Sequence, residues 1–278
     1  MEPLVSTSWL AAQLGEKDLV VLDATMYLPN ESKNGRAEFA RAHIPGAGFF
    51  DIDEIADRES HLPHMVPTAS RFATLIAALG VSNASRVVFY DQKGLSSAAR
   101  GWWLMALFGH DRAAVLDGGL PKWQREGRPT ESGPQPPLAP GDYAPRFRPR
   151  RLRGLGDMLE NLESGAELVL DARAAGRFAA TSPEPRPGLP GGHIPGSRNL
   201  PYTELLNPDF TFKPRAQLRA RFAALGVDEQ CAVVTSCGSG VSAAILTLGL
   251  TLAGFPPGAL YDGSWTEWAS HPATPKES

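Results

Sequence analysis

Val20-Val21-Leu22-Asp23-Ala24 recurs as Leu168-Val169-Leu170-Asp171-Ala172. Each is a short apolar run closed by a carboxylate, the form of a strand buried on both faces of a parallel sheet. Working outward, His43-Ile44-Pro45-Gly46 returns as His193-Ile194-Pro195-Gly196, and Leu79-Gly80-Val81 returns as Leu225-Gly226-Val227. Asp117-Gly118-Gly119-Leu120-Pro121-Lys122-Trp123 has its counterpart in Asp262-Gly263-Ser264-Trp265-Thr266-Glu267-Trp268. The offsets are 148, 150, 146 and 145 residues, so order and spacing hold along a whole unit. A period this long is not a solenoid repeat; it is two copies of one domain.

Within each copy, short apolar runs alternate with longer stretches of helical spacing. Val20–Leu22, Val87–Tyr90 and Ala114–Leu116 read as strands in the first copy; Leu168–Leu170, Ala232–Thr235 and Leu260–Tyr261 match them in the second. Ala69–Leu79, Ser96–Phe108, Arg215–Leu225 and Val241–Ala253 read as helices. The alternation predicts an α/β fold: two tandem domains, each a parallel sheet flanked by helices on both faces. Prolines at 129, 134, 136, 137, 140, 145 and 149 mark a stiff, extended connection. We place the first domain at 1–129, the linker at 130–150 and the second domain at 151–278.

The 278 residues are 42% apolar and 21% charged, with a net charge of −3. Such a balance offers no electrostatic reason to expect nucleic acid or an anionic membrane as partner. No apolar run reaches the roughly 18–20 residues of a membrane helix. Met1-Glu2-Pro3-Leu4-Val5 lacks the basic and apolar regions of a secretory signal, so a cytoplasmic protein is expected. Only Cys231 and Cys237 occur, which excludes a disulfide scaffold and makes no zinc site.

The chemistry is expected after the strand Ala232–Thr235, in Ser236-Cys237-Gly238-Ser239-Gly240-Val241-Ser242-Ala243-Ala244. A strand, a glycine turn and a helix start together direct backbone N–H groups and the positive helix end at one point. This is a cradle for negative charge, and a cysteine at its start is stabilised there as thiolate. Cys231 has no such loop and reads as a structural thiol. The first copy supplies an internal control: its loop is Tyr90-Asp91-Gln92-Lys93-Gly94-Leu95-Ser96-Ser97-Ala98, with Asp91 where Cys237 stands. A carboxylate cannot serve as sulfur nucleophile, so the first copy keeps the fold without the chemistry. Features common to both copies are architectural on this logic, and those in one copy alone are candidates for function. His43 and His193, present in both, are assigned to structural turns, and Trp102, Trp103, Trp123, Trp265 and Trp268 to packing.

The paired His-Ile-Pro-Gly segments, the Asp-Gly ends with their tryptophans, and the single loop cysteine resemble the tandem-domain rhodanese superfamily along nearly the whole chain. The resemblance implies a sulfurtransferase whose active site lies in the C-terminal domain near the domain interface. Cys237-Gly238-Ser239-Gly240-Val241-Ser242 is similar to the Cys-Gly-Ser-Gly-Val-Thr loop of members that act on 3-mercaptopyruvate. It lacks the basic residues that follow the cysteine in thiosulfate-type members. Ser242 replaces the usual threonine and keeps the hydroxyl.

By the same resemblance, Arg177 and Arg186 hold the donor's carboxylate and carbonyl, a task suited to the guanidinium fork. Gly238, Gly240, Val241 and Ser242 complete the donor pocket, and Ser239, His64 and Asp53 form a proton relay, with His61 a nearby competitor for the imidazole role. The implied reaction is attack of Cys237 on the sulfur of 3-mercaptopyruvate, release of pyruvate, and passage of the outer sulfur to cyanide or a thiol such as reduced thioredoxin. No metal or organic cofactor is implied. The rivals are a thiosulfate:cyanide sulfurtransferase, a non-catalytic anion- or partner-binding module, and a phosphatase, the last weakened because no arginine closes the loop.

Overall fold

The computed structural model describes residues 1–135 and 137–278; Pro136 of the expected linker lies outside the described residues. The first domain runs β1 (Leu4–Val5), α1 (Thr7–Gln13), β2 (Leu19–Asp23), α2 (Gly35–Arg41), β3 (Gly48–Phe49), α3 (Ile52–Ile55), α4 (Ala69–Ala78), β4 (Arg86–Tyr90), α5 (Ala98–Leu107), β5 (Ala113–Leu116) and α6 (Gly119–Arg125). The second runs β6 (Leu152–Arg153), α7 (Leu155–Ser164), β7 (Leu168–Asp171), α8 (Ala175–Phe178), β8 (Arg198–Asn199), α9 (Arg215–Ala223), β9 (Val233–Ser236), α10 (Ala243–Ala253), β10 (Ala259–Tyr261) and α11 (Ser264–Ser270). Both sheets are parallel and share one strand order, β1-β5-β4-β2-β3 and β6-β10-β9-β7-β8. The expected two-domain α/β fold is therefore the observed one.

Alternation along the central strands sends side chains to two cores. Val21, Val88 and Ala114 face an outer core with Phe39, Ile44 and Trp123. Leu22, Val87, Phe89 and Val115 face an inner core that continues without a break into Leu170, Val233, Ile245 and Leu260 of the second domain. The two domains thus share a core. At its centre α5 packs on α10. All ten residues of α5 are buried, and so are nine of the eleven in α10. A helix apolar on all sides is one surrounded by protein.

The interface is self-complementary, as in a two-fold dimer. Asp262 Oδ2 at the end of β10 accepts the Val66 amide of the first domain at 2.6 Å. Asp117 Oδ1 at the end of β5 accepts the Phe212 amide of the second at 2.9 Å. Each domain thereby clasps the same loop of the other. Two residues before each clasped amide the backbone is left-handed, at His64 (φ 62°) and Phe210 (φ 67°).

The HIPG histidines are structural. His43 stacks on Phe39 at 4.0 Å and donates Nδ1–H to its carbonyl; His193 does the same with Phe178 at 3.7 Å. Beyond α6 the chain straps the first domain: Glu131 pairs with His43, the Gln135 side chain accepts from Phe49 on edge strand β3, and Arg146 and Arg148 donate backbone N–H groups to Phe108 and Leu107. Covering an edge strand hides its unpaired backbone groups. No described helix is long and apolar enough to cross a membrane.

Asp117 carries a testable cost. Burial pushes its carboxyl up to about 6, and the Phe212 amide offsets only part of that. Because the native state holds this proton more tightly, stability falls as pH rises from about 4 to about 6 and is then level. Asp117→Asn keeps an acceptor for Phe212 and removes the charge. Calorimetry should show it stabilising by on the order of 1 kcal/mol at pH 8, with the gain shrinking toward pH 4. A difference independent of pH would rule this out.

Candidate active site

β9 ends at Ser236, and the next residues curl back before α10 begins. Ser264, at the start of α11, organises that curl. Its Oγ accepts the amides of Cys237 and Gly240, both at 3.1 Å, and donates to the Tyr261 carbonyl at 2.8 Å. Ser264 is left-handed at φ 50°, as Gly119 is in the first copy at φ 54°. A serine accepts that conformation at a cost, and its hydroxyl is what the second copy gains. This residue escaped the sequence reading, although the rule applied there would have found it: it differs between copies at a position glycine would otherwise hold.

With Cys237 and Gly240 tied back, the amides of Gly238, Ser239, Val241 and Ser242 donate to no protein acceptor among the described residues. The first copy shows what such a loop holds. There Asp91 Oδ2 accepts from Ser96, Ser97 and Ala98 at 2.8, 2.9 and 2.9 Å, and Oδ1 accepts from Lys93 at 3.0 Å. One loop cradles a fixed carboxylate; the other presents a thiol, Cys237, which is 2% exposed.

A cavity of about 100 Å³ opens beside that thiol. The second domain lines it with Cys237, Gly238, Ser239, Val241, Ser242, Arg177, Arg186 and Tyr202. The first domain contributes Met26, Leu28, Lys93 and Ser96, none of which the sequence reading singled out. Gly240 does not line it: its N–H goes to Ser264 and its C=O to Arg100, which corrects its expected place in the donor pocket. None of the tryptophans lines it either. A larger groove of about 460 Å³ runs beside Cys231, but no histidine is among the described residues that line it.

The expected relay residues meet across the domain interface. Arg186 Nη2 donates to Ser239 Oγ at 3.3 Å, and Ser239 Oγ lies 2.9 Å from His64 Nδ1. His64 Nε2 lies 3.0 Å from Asp53 Oδ1. Asp53 can only accept, so the proton sits on Nε2 and Nδ1 accepts from the serine. The His64 bond holds the Asp53 carboxyl below the usual carboxylate range, so it stays ionised. His61 is exposed, whereas His64 is buried and lies between Ser239 and Asp53.

Arg100 holds this arrangement in place. Buried in α5, it donates to the His64 carbonyl at 2.6 Å, to Gly240 O at 3.1 Å and to Asp262 Oδ1 at 2.7 Å. One guanidinium thus ties the imidazole-bearing loop to the cysteine loop. The comparison of copies marks it too, since Leu246 occupies the corresponding place in α10, but a lone arginine in an apolar helix gives no signal of what it faces.

The two expected substrate arginines differ. Arg177 is bidentate to Glu184, Nη2–Oε2 2.5 Å and Nε–Oε1 3.1 Å, and its guanidinium overhangs Gly238, where an added Cβ would lie 2.9 Å from Nη2. Arg186 has no ion-pair partner among the described residues. Burial lowers its proton affinity below the usual guanidinium value.

The description "Rhodanese-like domain" fits the chain twice, over residues 6–126 and 155–271. Among curated proteins, the human 3-mercaptopyruvate sulfurtransferase is 44% identical over 271 residues, 95% of this chain and 91% of that protein. The Arabidopsis thaliana thiosulfate/3-mercaptopyruvate sulfurtransferase 2 is 42% identical, covering 99% and 86%. The crystal structure of Escherichia coli SseA, a 3-mercaptopyruvate sulfurtransferase, superposes with a TM-score of 0.86 at 36% identity, over 95% of this chain and 99% of that one.

Proposed function

The chain belongs to the rhodanese family and is a sulfurtransferase, and from that premise we propose that 3-mercaptopyruvate is its donor and that the sulfur travels as a persulfide on Cys237. The observation that carries the reading is the cysteine replacing a cradled carboxylate beside an unpaired guanidinium, Arg186. A small cavity with one unpaired cation among the described residues suits a small donor bearing one carboxylate.

The Cys237 thiolate attacks the donor sulfur. The Cys237–sulfur bond forms as the bond from sulfur to C3 of the donor breaks, and the bonding pair moves onto the pyruvate enolate. Arg186, with Arg177 beside it, faces the carboxylate and the oxygen that gains charge. The donor's own proton stays on the outer sulfur, and C3 takes the proton that the Cys237 thiol gave up on ionising, held in the meantime by His64 through Ser239 with Asp53 balancing the imidazolium. A thiol such as reduced thioredoxin, or cyanide, then removes the outer sulfur and restores the Cys237 thiolate.

Incubation with 3-mercaptopyruvate alone should add one sulfur to the Cys237 peptide in the mass spectrum and release one equivalent of pyruvate. An unmodified peptide with no pyruvate would end the proposal. The rival donor is thiosulfate, and the loop offers that dianion no basic residue after the cysteine. A higher kcat/KM for thiosulfate would decide for it.

A further inference from the structure

The charges around the cavity nearly cancel, and one buried carboxylate brings that about. Arg173 is fully buried, bonded to Asp171 at 2.6 Å and to Glu184 at 2.9 Å, with its guanidinium over Trp265. Glu184, with a side chain 2% exposed, shares Oε1 between Arg173 and Arg177 and gives Oε2 to Arg177. Asp171, Arg173, Glu184 and Arg177 therefore form an alternating chain of no net charge. On the opposite wall Lys93 is paired with Glu31 at 2.7 Å. What is left is Arg186, which has no ion-pair partner among the described residues; its Nη2 reaches Ser239 Oγ, and the ionised Asp53 stands at the far end of the same chain.

We propose that Glu184 is a specificity-determining residue that acts through Arg177, restricting the cleft to monoanionic sulfur donors and disfavouring dianions. This rests on the reading of the cleft as the donor site. A donor with one carboxylate meets the free guanidinium of Arg186 and the dipoles of the open amides. A second negative charge meets no unpaired cation among the described residues, because Arg177 is already bidentate to Glu184 and Lys93 is paired with Glu31. In so small and partly desolvated a site, an uncompensated charge weighs heavily. Removing the Glu184 charge frees Arg177, whose guanidinium already overhangs Gly238.

The test compares kcat/KM for 3-mercaptopyruvate and thiosulfate in wild type, Glu184→Gln and Glu184→Asp. The ratio should move toward thiosulfate by about tenfold in Glu184→Gln, the size expected for one charge at close range. It should stay near wild type in Glu184→Asp, which keeps the charge. Inhibition by sulfate should strengthen relative to acetate in Glu184→Gln alone. An unchanged ratio, or an equal loss with both donors, overturns the role of Glu184. A wild-type preference for thiosulfate instead overturns the donor assignment itself. If Glu184→Gln does not fold, wild type still decides: acetate and pyruvate must compete with the donor more strongly than sulfate, and the reverse order refutes the inference.

Discussion

Cys237→Asp should yield a folded protein with no measurable sulfur transfer. The first domain already contains this variant. Asp91 sits at the same point of the same loop and accepts four backbone amides between 2.8 and 3.0 Å. A carboxylate at 237 finds comparable donors at the start of α10 and the guanidinium of Arg186 beside it. The fold should therefore survive, with a melting temperature no lower than wild type. The chemistry should not: a carboxylate forms no persulfide, and removal of a covalent nucleophile costs on the order of 10⁶ in enzymes of comparable design. Assays of pyruvate release and persulfide labelling check the first outcome, calorimetry the second. Transfer within tenfold of wild type would move the nucleophile elsewhere, with Cys231 the remaining thiol.

His64→Phe should lower kcat by about 10²–10³ while leaving the loop intact. The position is left-handed, where most substitutions add strain, yet Phe210 holds the same conformation at the related place in the other domain. That phenylalanine packs over Gly94 of the Asp91 loop, as His64 reaches the Ser239 of the Cys237 loop. An aromatic ring thus fits, and what is lost is the acceptor for the Ser239 hydroxyl and the donor to Asp53. The rate should fall at every pH, and any pH dependence that the imidazole contributes should vanish. A kcat within twofold of wild type would leave the relay a packing feature. Together the two substitutions turn the second site into a copy of the first.

Much of this was legible before any coordinates. Strands expected at Val87–Tyr90 and Leu168–Leu170, and helices at Ala69–Leu79 and Val241–Ala253, appear within two residues of those bounds. Patterns of this kind are local: periodicity and turn residues report on neighbours in the chain. The edge strands β3, at Gly48–Phe49, and β8, at Arg198–Asn199, were not read, because two residues are too few to show a period. The cysteine loop was legible because strand, glycine turn and helix are contiguous, and because the repeat supplies the same loop with Asp91.

By itself, then, the sequence determined two copies of one α/β domain, a loop built to hold negative charge, and the thiol placed in it. Which groups surround that thiol was decided only by the tertiary structure. His64 meets Ser239, Arg100 meets Asp262, and Lys93 lines a cavity closed by Arg177. Those residues are brought together by the shared inner core of α5 and α10, which no local pattern encodes. The charge balance of the cleft is likewise tertiary: Arg177 and Arg186 look alike along the chain, and only the buried Glu184 carboxylate, shared with Arg173, makes one engaged and the other free.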